Sequence, residues 1–165
     1  MKSIFILISF LTQGAAMALT LSSPAFTHKG NIPAQYTCDG TNISPALQWS
    51  GGPASTKSFA LIVDDPDAPS KTYVHWVVFN ISATTTELAE GVRSVTCGTN
   101  DFGTTKYGGP CPPSGTHRYH FKLYALDTML DLSSDATKED VLDAMQGHVL
   151  AQTELVGLYA RTRNK

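Results

Sequence analysis

The chain has 165 residues, of which 42% are hydrophobic and only 16% charged, so it is neither a disordered chain nor a long charged helix. This length suits one domain with a substantial core. Twelve Lys and Arg stand against 14 Asp and Glu, for a formal net charge of −2, and no basic block occurs. Electrostatic binding to nucleic acid or to an anionic membrane is therefore not expected.

The first 18 residues have the segment order of a secretory signal peptide. Lys2 precedes an apolar run from Ile4 to Leu11, and Ala16-Met17-Ala18 matches the small-residue cleavage pattern. The run is too short to span a bilayer, which needs about 20 residues. We expect cleavage after Ala18, a single mature domain over 19–165 without a transmembrane segment, and a periplasmic or secreted location. An N-terminal strand or helix of the fold is the alternative.

The mature part of the sequence predicts mostly strands. Apolar, β-branched or alternating segments bounded by turn residues predict strands over 19–22, 46–49, 57–63, 74–81, 117–126 and 150–162, although the first half of the last segment could continue a helix. One helix is predicted, because Thr137-Lys138-Glu139-Asp140 resembles a capping box and Gly147 is a reasonable stop. This order predicts a mainly β fold, an antiparallel, Greek-key-like β sandwich with a peripheral helix.

Histidines occur in two of the predicted strands. Side chains alternate along a strand, so His117 and Tyr119 face the same way as the core residues that follow them. By the same rule, His75 is expected to share a face with Val77 and Phe79, opposite the indole that follows it. Buried polar side chains need partners, so these residues should bond to protein, water or a ligand. A rim in which the backbone satisfies them is the alternative.

The loops beside these strands carry an unusual set of residues. Asp64, Asp65 and Asp67 follow an apolar strand directly. A turn needs one carboxylate, and three repel one another, so we expect a cationic or hydrogen-bond-donating partner for the surplus. Gly108-Gly109 and the prolines of 110–113 form a stiff path that can aim backbone N–H groups at an anion. The alternative for that path is a stiff surface loop.

Three cysteines allow one disulfide and leave one thiol over. Cys97 and Cys111 flank the same glycine-rich region, so this pair is favoured. Cys38 with Cys111 is the competing pair. Because no C-x-x-C spacing occurs, zinc binding and thioredoxin-type chemistry are not expected.

Taken together, these motifs resemble the phosphatidylethanolamine-binding protein family, and its bacterial Raf-kinase-inhibitor-like branch most closely. The resemblance rests on these motifs: DDPDAP at 64–69, His75-Trp76 and GGPCPPSGTHRYHF at 108–121, with YTCDG at 36–40 and NDFG at 100–103. The resemblance runs from about residue 19 to residue 161. It implies a β sandwich with a small pocket at one end that accepts a phosphate-like anion or a phosphoethanolamine-type headgroup.

The resemblance also implies which residues form the pocket. Its ligand-binding positions fall on Asp65, Asp67, His75, Gly108, Gly109, Pro112, Pro113, His117 and Tyr119. The two imidazoles would hold the anion, so affinity should rise as pH falls through the histidine range near about 6.5. The long C-terminal helix of mammalian members has no counterpart after Tyr159, which weighs against mammalian-type regulation of kinases.

Three other functions remain open. The Asp and His side chains could act as an acid–base pair on a phosphoester, but no nucleophile motif accompanies them, so no catalytic residue and no cofactor is expected. The same side chains, Asp65, Asp67, His75 and His117, could hold a divalent metal if they converged. An inhibitor or interaction module that acts on a kinase or a serine protease is the last alternative, and no segment marks such a surface.

Overall fold

A computed structural model describes residues 17–161. The predicted signal peptide lies outside these residues except for Met17 and Ala18. The described chain forms nine strands and one α-helix. They are β1 (Thr20–Ser22), β2 (Gly30–Asn31), β3 (Leu47–Ser50), β4 (Ser58–Asp65), β5 (Tyr73–Ser82), β6 (Glu87–Leu88), β7 (Thr96–Cys97), β8 (Thr116–Leu126), α1 (Lys138–Ala144) and β9 (Val149–Ala160).

The strands form two sheets, which confirms the predicted mainly β class. The larger sheet has the order β2-β9-β8-β4-β5-β7, and the smaller has the order β1-β3-β6. Every pairing is antiparallel except that of β2 with β9, a short parallel contact that the sequence did not predict. Apolar side chains of both sheets meet in one core, where the Trp49 and Phe59 rings lie edge to face at 5.7 Å.

The helix α1 covers the other face of the larger sheet. Thr137 accepts a bond from the Asp140 backbone N–H, and the Asp140 side chain accepts one from the Thr137 N–H, so the predicted capping box is present. Val141 and Met145 pack into a second apolar cluster with side chains of β4 and β5. The chain then turns at Gly147, which has a φ of 78°, directly into β9. Among the described residues, no helix has the length and apolarity needed to cross a membrane.

A β-bulge in β5 sets the direction of His75. The flanking pairs between β4 and β5 are Val63 with Trp76 and Asp64 with Val74. His75 is thus an extra residue without a partner on β4, and bulges of this kind redirect a side chain. Its ring lies against Tyr119, with 5.2 Å between centroids, whereas Val77 and Phe79 pack toward α1. The predicted shared face with Val77 and Phe79 is therefore wrong.

The disulfide joins Cys38 to Cys111, with 5.4 Å between the Cα atoms. The favoured pairing of Cys97 with Cys111 is therefore wrong, and the competing pair is present. Cys97 lies on β7 at the edge of the larger sheet and is a free thiol. The Cys38 backbone N–H donates to Pro110 O at 3.1 Å, so the chain already brings the 38–40 turn beside the proline-rich segment. Closeness in sequence was misleading because the glycine-rich loop carries Cys111 away from β7.

Candidate functional site

A cavity of about 390 Å³ opens where β4 ends and where β5 and β8 begin. The end of β4, the loop between β4 and β5, the connection between β7 and β8, and the first residues of β5 and β8 form its wall. The lining residues are Asp65, Ala68, Pro69, Ser70, Tyr73, His75, Phe102, Cys111, Pro112, Pro113, His117 and Tyr119. Both histidines singled out in the sequence therefore reach one cavity, although 42 positions separate them in the chain.

His117 and Asp65 form a buried pair at one side of the cavity. The His117 Nδ1 lies 2.6 Å from Asp65 Oδ2, and both side chains are more than 90% buried. The other carboxylate oxygen of Asp65 accepts a hydrogen bond from the Asp67 backbone N–H at 2.8 Å. Because Nδ1 donates to the carboxylate, Nε2 is the ring nitrogen left for other partners.

His75 is held at the other side by the main chain. Its Nδ1 donates to Gly108 O at 2.7 Å, while Gly108 N–H donates to His75 O at 3.0 Å. Asn100 Nδ2 also donates to His75 O, at 3.2 Å. Burial lowers the pKa of His75, an effect that the bond to Gly108 partly opposes. The ring is therefore a neutral imidazole near pH 7, with Nε2 as a hydrogen-bond acceptor.

Tyr119 lies between the two imidazoles. Its ring is 5.2 Å from that of His75, edge to face, and 6.5 Å from that of His117, stacked. The hydroxyl is buried and has no hydrogen-bond partner among the described residues. Burial, helped by the Asp65 carboxylate, raises the pKa of this phenol, so it remains a neutral donor. An unpartnered buried hydroxyl beside two histidines is unusual for a purely structural cluster.

The three acidic residues of the 64–67 segment have partners within the protein. Asp65 pairs with His117, and Asp67 accepts from the Arg118 side chain at 2.6 and 2.9 Å and from its backbone N–H at 2.9 Å. Arg118 holds the pKa of Asp67 at about 2. Asp64 points to the helix side of the sheet. The cationic partner expected for the surplus carboxylates is thus internal, and Asp67 does not line the cavity.

The glycine–proline segment contributes to the wall through its prolines. Pro112 and Pro113 line the cavity, whereas Gly108 and Gly109 lie behind it. The Gly109 N–H donates to Asn42 Oδ1 at 2.8 Å, so neither glycine N–H points at an anion. Gly109 is needed for close approach, since a Cβ at this position would overlap the backbone carbonyl oxygen of Tyr36.

An aromatic rim was not predicted from the sequence. Phe102 is 44% exposed, and its ring lies edge to face with Tyr73 at 5.1 Å and with His75 at 5.3 Å. Asn100 positions Phe102 by accepting its backbone N–H at 3.1 Å while donating to the backbone of β5. The NDFG segment was visible in the sequence, but nothing in it indicated that its Phe would cover a histidine on another strand.

Among residues 17–161, no three His, Cys, Asp or Glu side chains are grouped so that they could hold a metal ion. Each of the two cavity histidines uses its Nδ1 within the protein, and Asp67 is turned toward Arg118. The arrangement is suited to donating and accepting hydrogen bonds around a small polar group.

Comparisons with known proteins identify the family. The sequence profile of the phosphatidylethanolamine-binding protein family matches residues 22–160. A UPF0098 protein of Methanothermobacter thermautotrophicus is 57% identical over 150 residues, which are 87% of this chain and 99% of that protein. A UPF0098 protein of Aquifex aeolicus is 47% identical over 92% of this chain and 93% of its own.

A solved structure leads to the same conclusion. The phosphatidylethanolamine-binding protein homologue CT736 of Chlamydia trachomatis superposes with a TM-score of 0.85 at 42% identity, covering 88% of this chain and 99% of its own. The chain belongs to the phosphatidylethanolamine-binding protein family.

Proposed function

We propose that the chain binds a small phosphate-like anion, free or as the headgroup of a phospholipid, in the cavity between His75 and His117. The observation that supports this function best is the convergence of two buried imidazoles and an unpartnered tyrosine hydroxyl on one cavity of about 390 Å³. Tetrahedral anions have several acceptor oxygens, and Tyr119 together with protonated His75 and His117 would offer the donors that such oxygens need.

The proposed binding takes up a proton. His75 is neutral in the free protein and presents a lone pair at Nε2, because its Nδ1–H is used by Gly108 O. An oxygen without a proton would be repelled by that lone pair. The imidazole must therefore gain a proton, or the ligand must carry one as its monoanion, whose second pKa is about 6 for a phosphomonoester. Both routes make affinity rise as pH falls.

The rim sets a second requirement on the ligand. Phe102, Tyr73, Pro69 and Pro113 are apolar or aromatic residues of the cavity wall, and each is at least partly exposed. A group attached to the anion would lie against this rim rather than against a charged side chain. A phosphoester with a short organic substituent therefore fits the proposal better than a bare inorganic ion.

Calorimetric titration of phosphoethanolamine, and of inorganic phosphate in a parallel series, tests the proposal. Replacement of His117 by Gln should weaken binding at least about tenfold, since it removes a donor that can be charge-assisted. His120→Gln is the matched control, because His120 bonds to Glu154 and does not line the cavity. Equal affinities in wild type and His117→Gln, with both variants melting as folded proteins, would overturn the proposal.

We also propose that the protein binds without turnover. Among the described residues, Ser70 is the one serine that lines the cavity. It is exposed, and its side chain forms no hydrogen bond with His117 or any other described residue. A serine nucleophile needs a base within about 3 Å. The purified protein should therefore release no phosphate from an aryl phosphoester. Release that the His117→Gln substitution abolishes would instead support an enzyme.

We propose a periplasmic or secreted location for the mature protein. The signal-peptide pattern of residues 1–18 is the basis, and the Cys38–Cys111 disulfide agrees with an oxidising compartment. N-terminal sequencing of protein from the periplasm or medium should begin near Leu19. An uncleaved protein in the cytoplasmic fraction would contradict this location.

A further inference from the structure

A second cavity, of about 530 Å³, lies on the other side of the segment that contains Gly108. It is called the cationic cleft below, and it is lined by Thr41, Asn42, Ile43, Ser44, Trp76, Gly91, Val92, Arg93, Val95, Cys97, Thr105, Lys106 and Tyr107. It shares no lining residue with the His75–His117 cavity. Its size is within the range of pockets that bind small molecules.

The charged side chains that line the cleft are all basic. Arg93 and Lys106 are exposed on its wall, and neither forms an ion pair with another residue of the described chain. No Asp or Glu lines it. Glu90, the acidic residue nearest to Arg93 in sequence, does not line the cleft and accepts a hydrogen bond from the Tyr36 hydroxyl at 2.6 Å. Two unpaired cations at one opening favour an anionic ligand.

The floor of the cleft is apolar and rigid. Trp76 is 1% exposed, and its ring lies edge to face with that of Tyr107 at 5.5 Å. Tyr107 is fixed in turn by a hydrogen bond from its hydroxyl to Tyr36 O at 2.8 Å. The side chains of Ile43, Val92 and Val95 complete this apolar part. Trp76 and Tyr107 are themselves buried, so these three half-buried side chains supply the apolar surface that a ligand can contact, and a bare inorganic ion would leave it uncovered.

One buried polar group of the cleft lacks a partner among the described residues. Ser44 is 2% exposed, and its hydroxyl forms no hydrogen bond within the described chain. Most buried hydroxyls are partnered, so this one marks an incomplete polar site. Cys97 is a half-buried free thiol in the same wall. Burial raises the pKa of the Cys97 thiol, and a hydrogen bond from the Trp76 indole partly opposes this.

We propose that the cationic cleft binds a small organic carboxylate with an apolar body, its carboxylate between Arg93 and Lys106 and its body against the half-buried aliphatic side chains of the cleft. Cys97 would then lie beside the bound molecule. Access to its thiol reports on occupancy, since Cys38 and Cys111 are joined to each other.

The test follows the reaction of the Cys97 thiol with an uncharged aromatic disulfide, dithiodipyridine. The thiolate attacks one sulfur, forming a mixed disulfide and releasing one pyridinethione, so the thiol of the protein is consumed as the chromophore appears. Nitrobenzoate is the probe ligand, and nitrobenzamide is its uncharged counterpart. Nitrobenzoate should slow the reaction saturably and at least about threefold, whereas nitrobenzamide should not, because it lacks the charge that the cations attract.

The double substitution Arg93→Gln with Lys106→Gln should abolish this protection and leave the unprotected rate within about twofold of wild type, since the reagent is uncharged. Lys57→Gln, a lysine outside the cleft, is the matched control and should keep full protection. All these residues are on the surface, so loss of folding is not expected. Absence of protection in wild type, equal protection by the amide, or protection that survives the double substitution would each overturn the proposal.

Discussion

The adjacent carboxylates of Asp64 and Asp65 lie on opposite faces of the larger sheet and have different partners. Asp65 lines the His75–His117 cavity, while Asp64 faces α1 with a fully buried side chain. Lys138 Nζ lies 2.6 Å from its Oδ2, and Lys122 Nζ lies 2.9 Å from its Oδ1. Lys138 is the first residue of α1, where a cation is unfavourable for the helix dipole unless an anion compensates it. Asp64 provides that anion.

We predict that Asp64→Asn lowers the free energy of unfolding by about 3 kcal/mol, because it leaves two lysines beside an uncharged group in a largely buried place. Urea denaturation monitored by tryptophan fluorescence measures the change. Asp67→Asn is the matched control: its partner Arg118 is half exposed, so solvent screens that pair and the loss should be much smaller. A larger loss for Asp67→Asn than for Asp64→Asn would contradict this assignment.

His75 makes stability depend on pH. Its pKa in the folded protein is lowered by burial, whereas in the unfolded chain it is about 6.5. Between the lowered pKa of the folded protein and about pH 6.5, the unfolded state therefore binds more protons at His75. The stability that the neutral, buried imidazole contributes is complete above about pH 6.5 and is lost as pH falls through the lowered pKa.

We predict that the stability difference between wild type and His75→Gln shrinks as the pH falls from about 7.5 to about 5, by at most about 1.4 kcal/mol per pH unit. Denaturation midpoints at several pH values measure it. Other titrating groups are common to both proteins and cancel in the difference. Parallel pH profiles for the two proteins would show that His75 does not carry this dependence.

Strand β5 departs from regular alternation at two points, where its register with β4 shifts. The second bulge places Asn80 at a φ of 56°, where its side chain both donates to Leu130 O and accepts from Leu130 N, each at 2.8 Å. This pair of bonds ties the loop before α1 to the strand. Asn is one of the few side chains that tolerate such a φ and can also make these bonds.

We predict that Asn80→Ala costs about 2–3 kcal/mol of stability, because it loses two hydrogen bonds and keeps a β-carbon at a positive φ. Asn80→Gly loses the same bonds without that steric penalty and should cost about 1 kcal/mol less than the Ala variant. Thermal or urea denaturation of the two variants separates the contributions. Equal stability of the Ala and Gly variants would mean that backbone strain plays no part.

At the scale of the whole molecule, the sequence predicted the parts that depend on local pattern. The alternation of β8 was right because its pairing with β4 has no register shift, and the capping box of α1 was right because its bonds span three residues. The direction of His75 was not predictable, since a bulge depends on register with another strand. The rim residue Phe102 and the cationic cleft depend on loops that meet only in the folded chain.

The disulfide is the longest covalent constraint in the fold, and it acts on the proposed binding site. It closes 73 positions of chain and anchors Cys111, which lines the cavity beside Pro112. In the chain-entropy account, closing a loop of this length stabilises the folded state by about 4 kcal/mol. The double substitution Cys38→Ser with Cys111→Ser should therefore lower the free energy of unfolding by roughly that amount and should loosen the cavity wall.

Two measurements separate these consequences. Urea denaturation gives the loss of stability, and phosphoethanolamine titration under strongly native conditions gives the effect on the cavity, where affinity should fall because Pro112 and Pro113 lose their anchor. Cys97→Ser is the matched control, as it removes a thiol that is not in the disulfide and leaves the cavity wall intact. A double variant with wild-type stability would show that native packing alone holds the 38–40 turn against the proline-rich segment.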